Sequence, residues 1–266
     1  MTKNLSVVAV GAALLAFGTM GAVHGAAIVP GNLENIEGNV NRGLPFNSSY
    51  FGMSSLRYQQ VYAASEFSDI ASPLLITQIL FRPDAAKGWS FSSTLPHIQI
   101  NLSTTTKAPD NLSTIFAQNI GSDQRVVFNG ALSLSSAFTG AAAGPKNFDI
   151  AINLVTPFLY NPRAGNLLLD VRNFSGGVST QFDGENTLGD SISRVVSTRV
   201  GASTGTADTS GLVTKFIATS ALPPVPPVPG KAIPEPASVL GILAVAAFGA
   251  TSARKGKSCL SSNSSC

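Results

Sequence analysis

The chain has 266 residues, 44% of them hydrophobic and 12% charged, with 17 basic and 14 acidic side chains and a formal charge of +3. Four of the basic residues (Lys3, Arg254, Lys255 and Lys257) lie in the two ends, so residues 28–236 carry 13 basic against 14 acidic groups, a net of −1 without a Lys/Arg cluster. That balance excludes a nucleic-acid surface read from charge. With both cysteines near the end, at Cys259 and Cys266, the middle also lacks a disulfide scaffold, a thiolate metal site and a cysteine nucleophile.

Residues 1–27 read as a secretory signal peptide. Lys3 is the positive start and residues 5–17 the apolar segment, while Val23-x-Gly25 and Gly25-x-Ala27 offer small-residue cleavage sites. Residues 28–220 are strand-rich, with expected strands at 56–63, 74–81, 97–103, 125–134, 148–155, 166–173, 191–199 and 212–219. Alternation is plain in Ile98-Gln99-Ile100-Asn101-Leu102 and in Ile150-Ala151-Ile152-Asn153, as half-buried strands require. Asn166-Leu167-Leu168-Leu169-Asp170-Val171 is more continuously apolar and predicts a central strand. Turn residues at Arg82-Pro83-Asp84, Ala108-Pro109-Asp110-Asn111, Tyr160-Asn161-Pro162 and Ser175-Gly176-Gly177 separate these runs. The pattern predicts an all-β fold, an antiparallel β-sandwich of jelly-roll type.

The middle offers little chemistry. His97 is its one histidine (His24 falls in the leader), and no Gly-x-Ser-x-Gly elbow accompanies it, so no serine triad is predicted. The acidic stretch from Asp183 through Glu185 to Asp190 reads as a turn. Its candidate role is to hold Ca²⁺ with oxygen ligands, or to supply the carboxylate pair of a secreted glycan-active hydrolase. Trp89, in a Gly/Ser-rich loop, and Tyr160, before Asn161-Pro162, are candidate sugar contacts. Tyr58 and Tyr62 join them because Tyr58, Gln60 and Tyr62 share one strand face. Asn-x-Ser sequences at Asn47, Asn101, Asn111 and Asn173 match glycosylation acceptors but read as polar strand and turn residues.

Residues 221–233 are proline-rich and predict an extended spacer of about 40 Å at about 3.1 Å per residue. Pro234-Glu235-Pro236 follows, then an uncharged run of residues 237–253 that reaches about 25 Å as a helix, the short end of a membrane span. Arg254, Lys255 and Lys257 form a basic stop on its far side, before the polar tail 258–266. This order closely resembles the PEP-CTERM sorting signal of bacterial exported proteins, over residues 233–257. The resemblance implies export, recognition by the membrane enzyme exosortase, transient anchoring by the C-terminal helix, and a place in the envelope, on the surface or outside the cell. It also implies an association with exopolysaccharide, biofilm or extracellular matrix. The middle resembles uncharacterised β-rich proteins that carry this signal, on segments such as Arg57-Tyr58-Gln59-Gln60-Val61-Tyr62. The expectation is a non-enzymatic matrix or surface protein, with the hydrolase as its rival.

Overall fold

The computed structural model describes residues 24–70, 73–142 and 144–221. Most of the leader, the spacer from residue 222, the Pro-Glu-Pro motif, the apolar run and the basic stop lie outside the described residues. Thirteen strands occur among those described: β1 His24–Val29, β2 Val40–Arg42, β3 Leu56–Tyr62, β4 Leu74–Phe81, β5 Phe91–Thr105, β6 Arg125–Ser136, β7 Ile150–Tyr160, β8 Asn166–Asn173, β9 Phe182–Glu185, β10 Ile192–Ser197, β11 Thr206–Asp208, β12 Gly211–Leu212 and β13 Thr214–Ser220. Every pairing is antiparallel, and no described segment is an α-helix.

The strands form a four-stranded sheet (β1-β13-β4-β7), a six-stranded sheet (β11-β10-β3-β8-β5-β6) and a small third sheet (β12-β9-β2). Period-2 patterning decides which side chains turn inward. Ile150 and Ile152 are buried while Ala151 and Asn153 face out, and Ile98, Ile100 and Leu102 are buried on β5. β8 pairs with β3 on one side and β5 on the other, as its apolar run predicts. The two larger sheets share one core in a sandwich-like arrangement. Tyr62 of β3 meets Phe216 of β13 edge-on at 4.9 Å, and Phe67 touches both Phe216 and Tyr160. Burying side chains of this size stabilises by about 1.5–3 kcal/mol each.

The other face of β3 is covered as well. Arg57 forms a two-bond pair with Asp170 and lies 4.5 Å over the Phe116 ring. Gln59 donates to the Phe116 carbonyl and to Asp170, and Asn119 donates to Gln59 in turn. A polar strand is thereby buried on both faces, with its polar groups paired internally.

The structure departs from the sequence expectation in several places. β1 reaches back to His24, inside the segment read as leader. Cleavage after Gly25 leaves residues 26–29 on the sheet edge, whereas cleavage after Ala27 leaves only Ile28 and Val29. The acidic stretch read wholly as a turn begins as strand β9. β5 is longer than predicted, and its pairing slips between Leu95 and Ile98, so Pro96 and His97 sit at a bulge where the missing proline donor is tolerated. The expected strand 212–219 divides at Val213, whose N–H turns to the Asp183 carbonyl.

Candidate functional site

The predicted acids do not gather into one site. Asp183 has no exposure; its Oδ2 accepts from Arg82 Nε at 2.6 Å and its Oδ1 from the Gly38 N–H at 2.9 Å. Arg82, also buried, donates to the carbonyls of Leu33, Glu34 and Ile36 and lies 4.9 Å from the Phe148 ring centre. One guanidinium thus ties the segment before β2 to β9. Carboxylate oxygens of Glu37, Asp84 and Asp183 lie within 4.8 Å of one another. Asp84 is spent on a turn, accepting from the Ala86 and Lys87 N–H groups, and Glu37 accepts from Ala85. Burial pushes Asp183 up to about 7 against the pull of Arg82, and it raises Glu37 as well.

Glu185 turns instead to Asn39 and the Thr187 hydroxyl, and Asp190 accepts from the Ile192 N–H. Burial pushes Asp190 up to about 6. The expected calcium set of Asp183, Glu185 and Asp190 is therefore divided between two corners. Asp183 joins acids that the sequence reading did not single out, and Arg82 already supplies a positive charge among them. The same burial bears on the hydrolase pair, because a carboxyl without exposure cannot reach a glycosidic oxygen.

Three of the four predicted sugar contacts are interior. Tyr58, Tyr62 and Tyr160 have no exposure. Their hydroxyls donate to Gln60 Oε1, pair with Thr214 Oγ1 at 3.0 Å and donate to the Gly165 carbonyl at 2.9 Å, respectively. Burial raises the pKa of all three. Tyr58, Gln60 and Tyr62 do share a face, but that face is covered: Tyr62 meets Thr214 and Phe216 of β13, and Gln60, bonded to Tyr58, exchanges hydrogen bonds with Leu212 of β12. His97 is exposed on its bulge, stacked 4.4 Å from the Phe174 ring.

Trp89 remains at the surface, partly exposed, and it is not alone. Tyr50 lies 5.9 Å from it, and Phe51 lies 5.2 Å from Tyr50. Tyr50 is 61% exposed and Phe51 47%. The segment carrying both is a single 3₁₀ turn, Ser48–Phe51, closed by Gly52 at φ +72°, a left-handed position that suits glycine. Side chains fasten this turn to the β8–β9 connection. Asn173 donates to the Pro45 carbonyl and to Ser48 Oγ, Ser49 and Gly177 exchange two hydrogen bonds, and Asn47 accepts from the Ser179 N–H. The Trp89 N–H donates to Thr180 Oγ1 in the same connection. Beneath the turn, Phe46 packs against Phe81 and Phe182. Three aromatic rings therefore stand at the surface on a braced frame.

Phe51 also lines a cleft of about 270 Å³, together with Arg42, Arg194, Asn41 and Gln181. Gly43 lets the ring lie close, since a Cβ there would stand 2.3 Å from Phe51 Cε2. Arg194 makes a two-bond pair with Asp208, while Arg42 donates to Ser210 Oγ and the Asn41 carbonyl. Burial and the neighbouring Arg194 charge lower Arg42; burial also pulls Arg194 down, but Asp208 and Tyr58 together outweigh it. Rings beside fixed amide and guanidinium donors suit a sugar, whose C–H face stacks and whose hydroxyls accept. Sequence reasoning missed Tyr50, Phe51, Arg42 and Arg194. The available signal was Tyr50-Phe51-Gly52 after a polar run, two aromatics at a turn with no alternation to bury them. No family model, curated protein or solved structure matches the chain.

Proposed function

We propose that this chain is a non-enzymatic exported protein of the cell surface or extracellular matrix, and that it engages polysaccharide through Trp89, Tyr50 and Phe51. The observation that carries the proposal is the braced, exposed aromatic trio, continuous through Phe51 with a mostly apolar cleft that Arg42 and Arg194 help to line. We read the strand order as a jelly roll. β1-β13-β4-β7 and β3-β8-β5-β6 are two four-stranded sets, and from β3 to β7 the chain passes between them at every step except the directly paired β5 and β6. The non-enzymatic reading is supported by the internal pairing of Asp183 and Glu185.

Export rests on the leader and on the likeness of residues 233–257 to a PEP-CTERM signal. Secretion machinery and exosortase are the partners that likeness implies, with membrane anchoring until processing. The test uses the full chain and a panel of immobilised purified polysaccharides. Replacing Trp89, Tyr50 and Phe51 together by alanine is expected to weaken binding at least about tenfold, as loss of several stacking contacts would. Absence of binding to every polysaccharide, or unchanged binding in the triple variant, overturns the reading.

A further inference from the structure

We propose that the cleft beside Phe51 takes the carboxylate of an acidic sugar unit, so that the bound polysaccharide is a uronic-acid-bearing polymer. This rests on the polysaccharide reading and adds its chemical class. Two guanidiniums line the cleft, Arg42 from β2 and Arg194 from β10. Asp208 is the carboxylate committed to this pair, held by both Nε and one Nη of Arg194 at 2.8 and 3.0 Å. Among the described residues Arg42 has no ion pair of its own. Its bonds go to the neutral Ser210 hydroxyl at 2.7 Å and to a carbonyl at 3.2 Å. The cleft therefore holds a surplus of one positive charge, part-buried next to an aromatic wall.

That combination is costly unless an anion joins it, because two like charges are kept together away from bulk water. A guanidinium fork matches a carboxylate in geometry as well as in sign. Asn41 and Gln181 also line the cleft, as groups for neighbouring hydroxyls, and the Phe51 ring stands for the sugar's C–H face. A neutral sugar would use the ring and the amides but leave Arg42 uncompensated. A non-sugar polyanion would use the charge and leave the aromatic trio idle.

The experiment compares binding of the full chain to polygalacturonate, to the same polymer fully methyl-esterified, and to poly-glutamate, following Trp89 fluorescence and retention on the immobilised polymers. Polygalacturonate is expected to bind at least tenfold tighter than its ester. Arg42→Ala should reduce its binding to the level of the ester, and poly-glutamate should bind no better than the ester. Equal binding of acid and ester overturns the acidic-sugar inference while leaving the polysaccharide reading intact. Poly-glutamate binding as well as polygalacturonate overturns it too, by showing that charge alone suffices. Binding of neither galacturonate form, together with failure on the neutral panel, removes the polysaccharide reading and the inference with it. The acid–ester comparison is made on the unaltered chain, so it decides the matter even if Arg42→Ala misfolds.

Discussion

Two arginines on either side of the small β2-β9-β12 sheet meet opposite fates. Arg82 lies in the acidic corner, 1% exposed, with a carboxylate, three carbonyls and an aromatic ring around it. Arg42 lies in the cleft, half-buried, bonded to a hydroxyl and a carbonyl and facing a second guanidinium. Arg42 pairs across the sheet with Phe182, and the next residue of β9 is Asp183, so strand alternation sends the two charged groups to opposite faces. The same residue type is a structural tie where its donors are saturated and its charge balanced. Where they are not, it is the group proposed to bind. Counting charges in sequence cannot separate these cases.

The largest expected effect tests the first half of that contrast. At pH 8, Arg82→Ala should lose about 3–5 kcal/mol in urea unfolding followed by Trp89 fluorescence, because it leaves Asp183 buried without a counter-charge. Arg42→Ala should lose only about 1 kcal/mol, the worth of an ordinary hydrogen bond. Comparable losses from the two would make the cleft arginine structural and erase the distinction.

A smaller effect comes from pH. Burial in the folded chain pushes Asp183 up to about 7, above its ordinary value of 3.8, with Arg82 and Glu37 acting on it and Asp84 in the same cluster, while Lys146 acts on Glu37. The proton is then held more tightly in the folded state. Stability contributed by this group should rise as pH falls from about 7 and level off below about 4. Relative to Asp183→Asn, the unaltered chain should therefore gain stability across that window. A difference between the two that is flat from pH 8 to pH 4 would refute it.

The smallest expected effect concerns calcium. Because Arg82 already balances Asp183, and Asp84 is engaged with turn N–H groups, millimolar Ca²⁺ should move the Tm by less than about 1 °C, since little binding free energy is left to couple to folding. A rise of several degrees that Glu37→Gln abolishes would show that the acidic corner takes a hard cation after all.

Much of the fold was legible along the chain. Residues 74–81 and 166–173 coincide with β4 and β8, and the apolar run at residues 167–169 marked a strand flanked on both sides. β2, β9 and β11 were missed because strands of three or four residues are too short to express a period, and because β9 is written in turn residues. β1 was missed because Gly25-Ala26-Ala27 reads equally as a cleavage site.

The candidate site was legible only at Trp89, the tryptophan of a Gly/Ser-rich loop. Tyr58, Tyr62 and Tyr160 were singled out as surface aromatics and lie in the interior. Alternation says which residues share a face, and it does not say which face another sheet will cover. The sequence by itself determined the all-β class, the near-neutral middle without cysteine, and the central strand, because these follow from local periodicity and composition. Tertiary structure alone decided that Tyr50 and Phe51 stand beside Trp89, that Asp183 is consumed by Arg82, and that Arg42 and Arg194 share a cleft. Each of those pairings joins segments more than thirty residues apart, and only sheet registry and loop bracing bring such segments together.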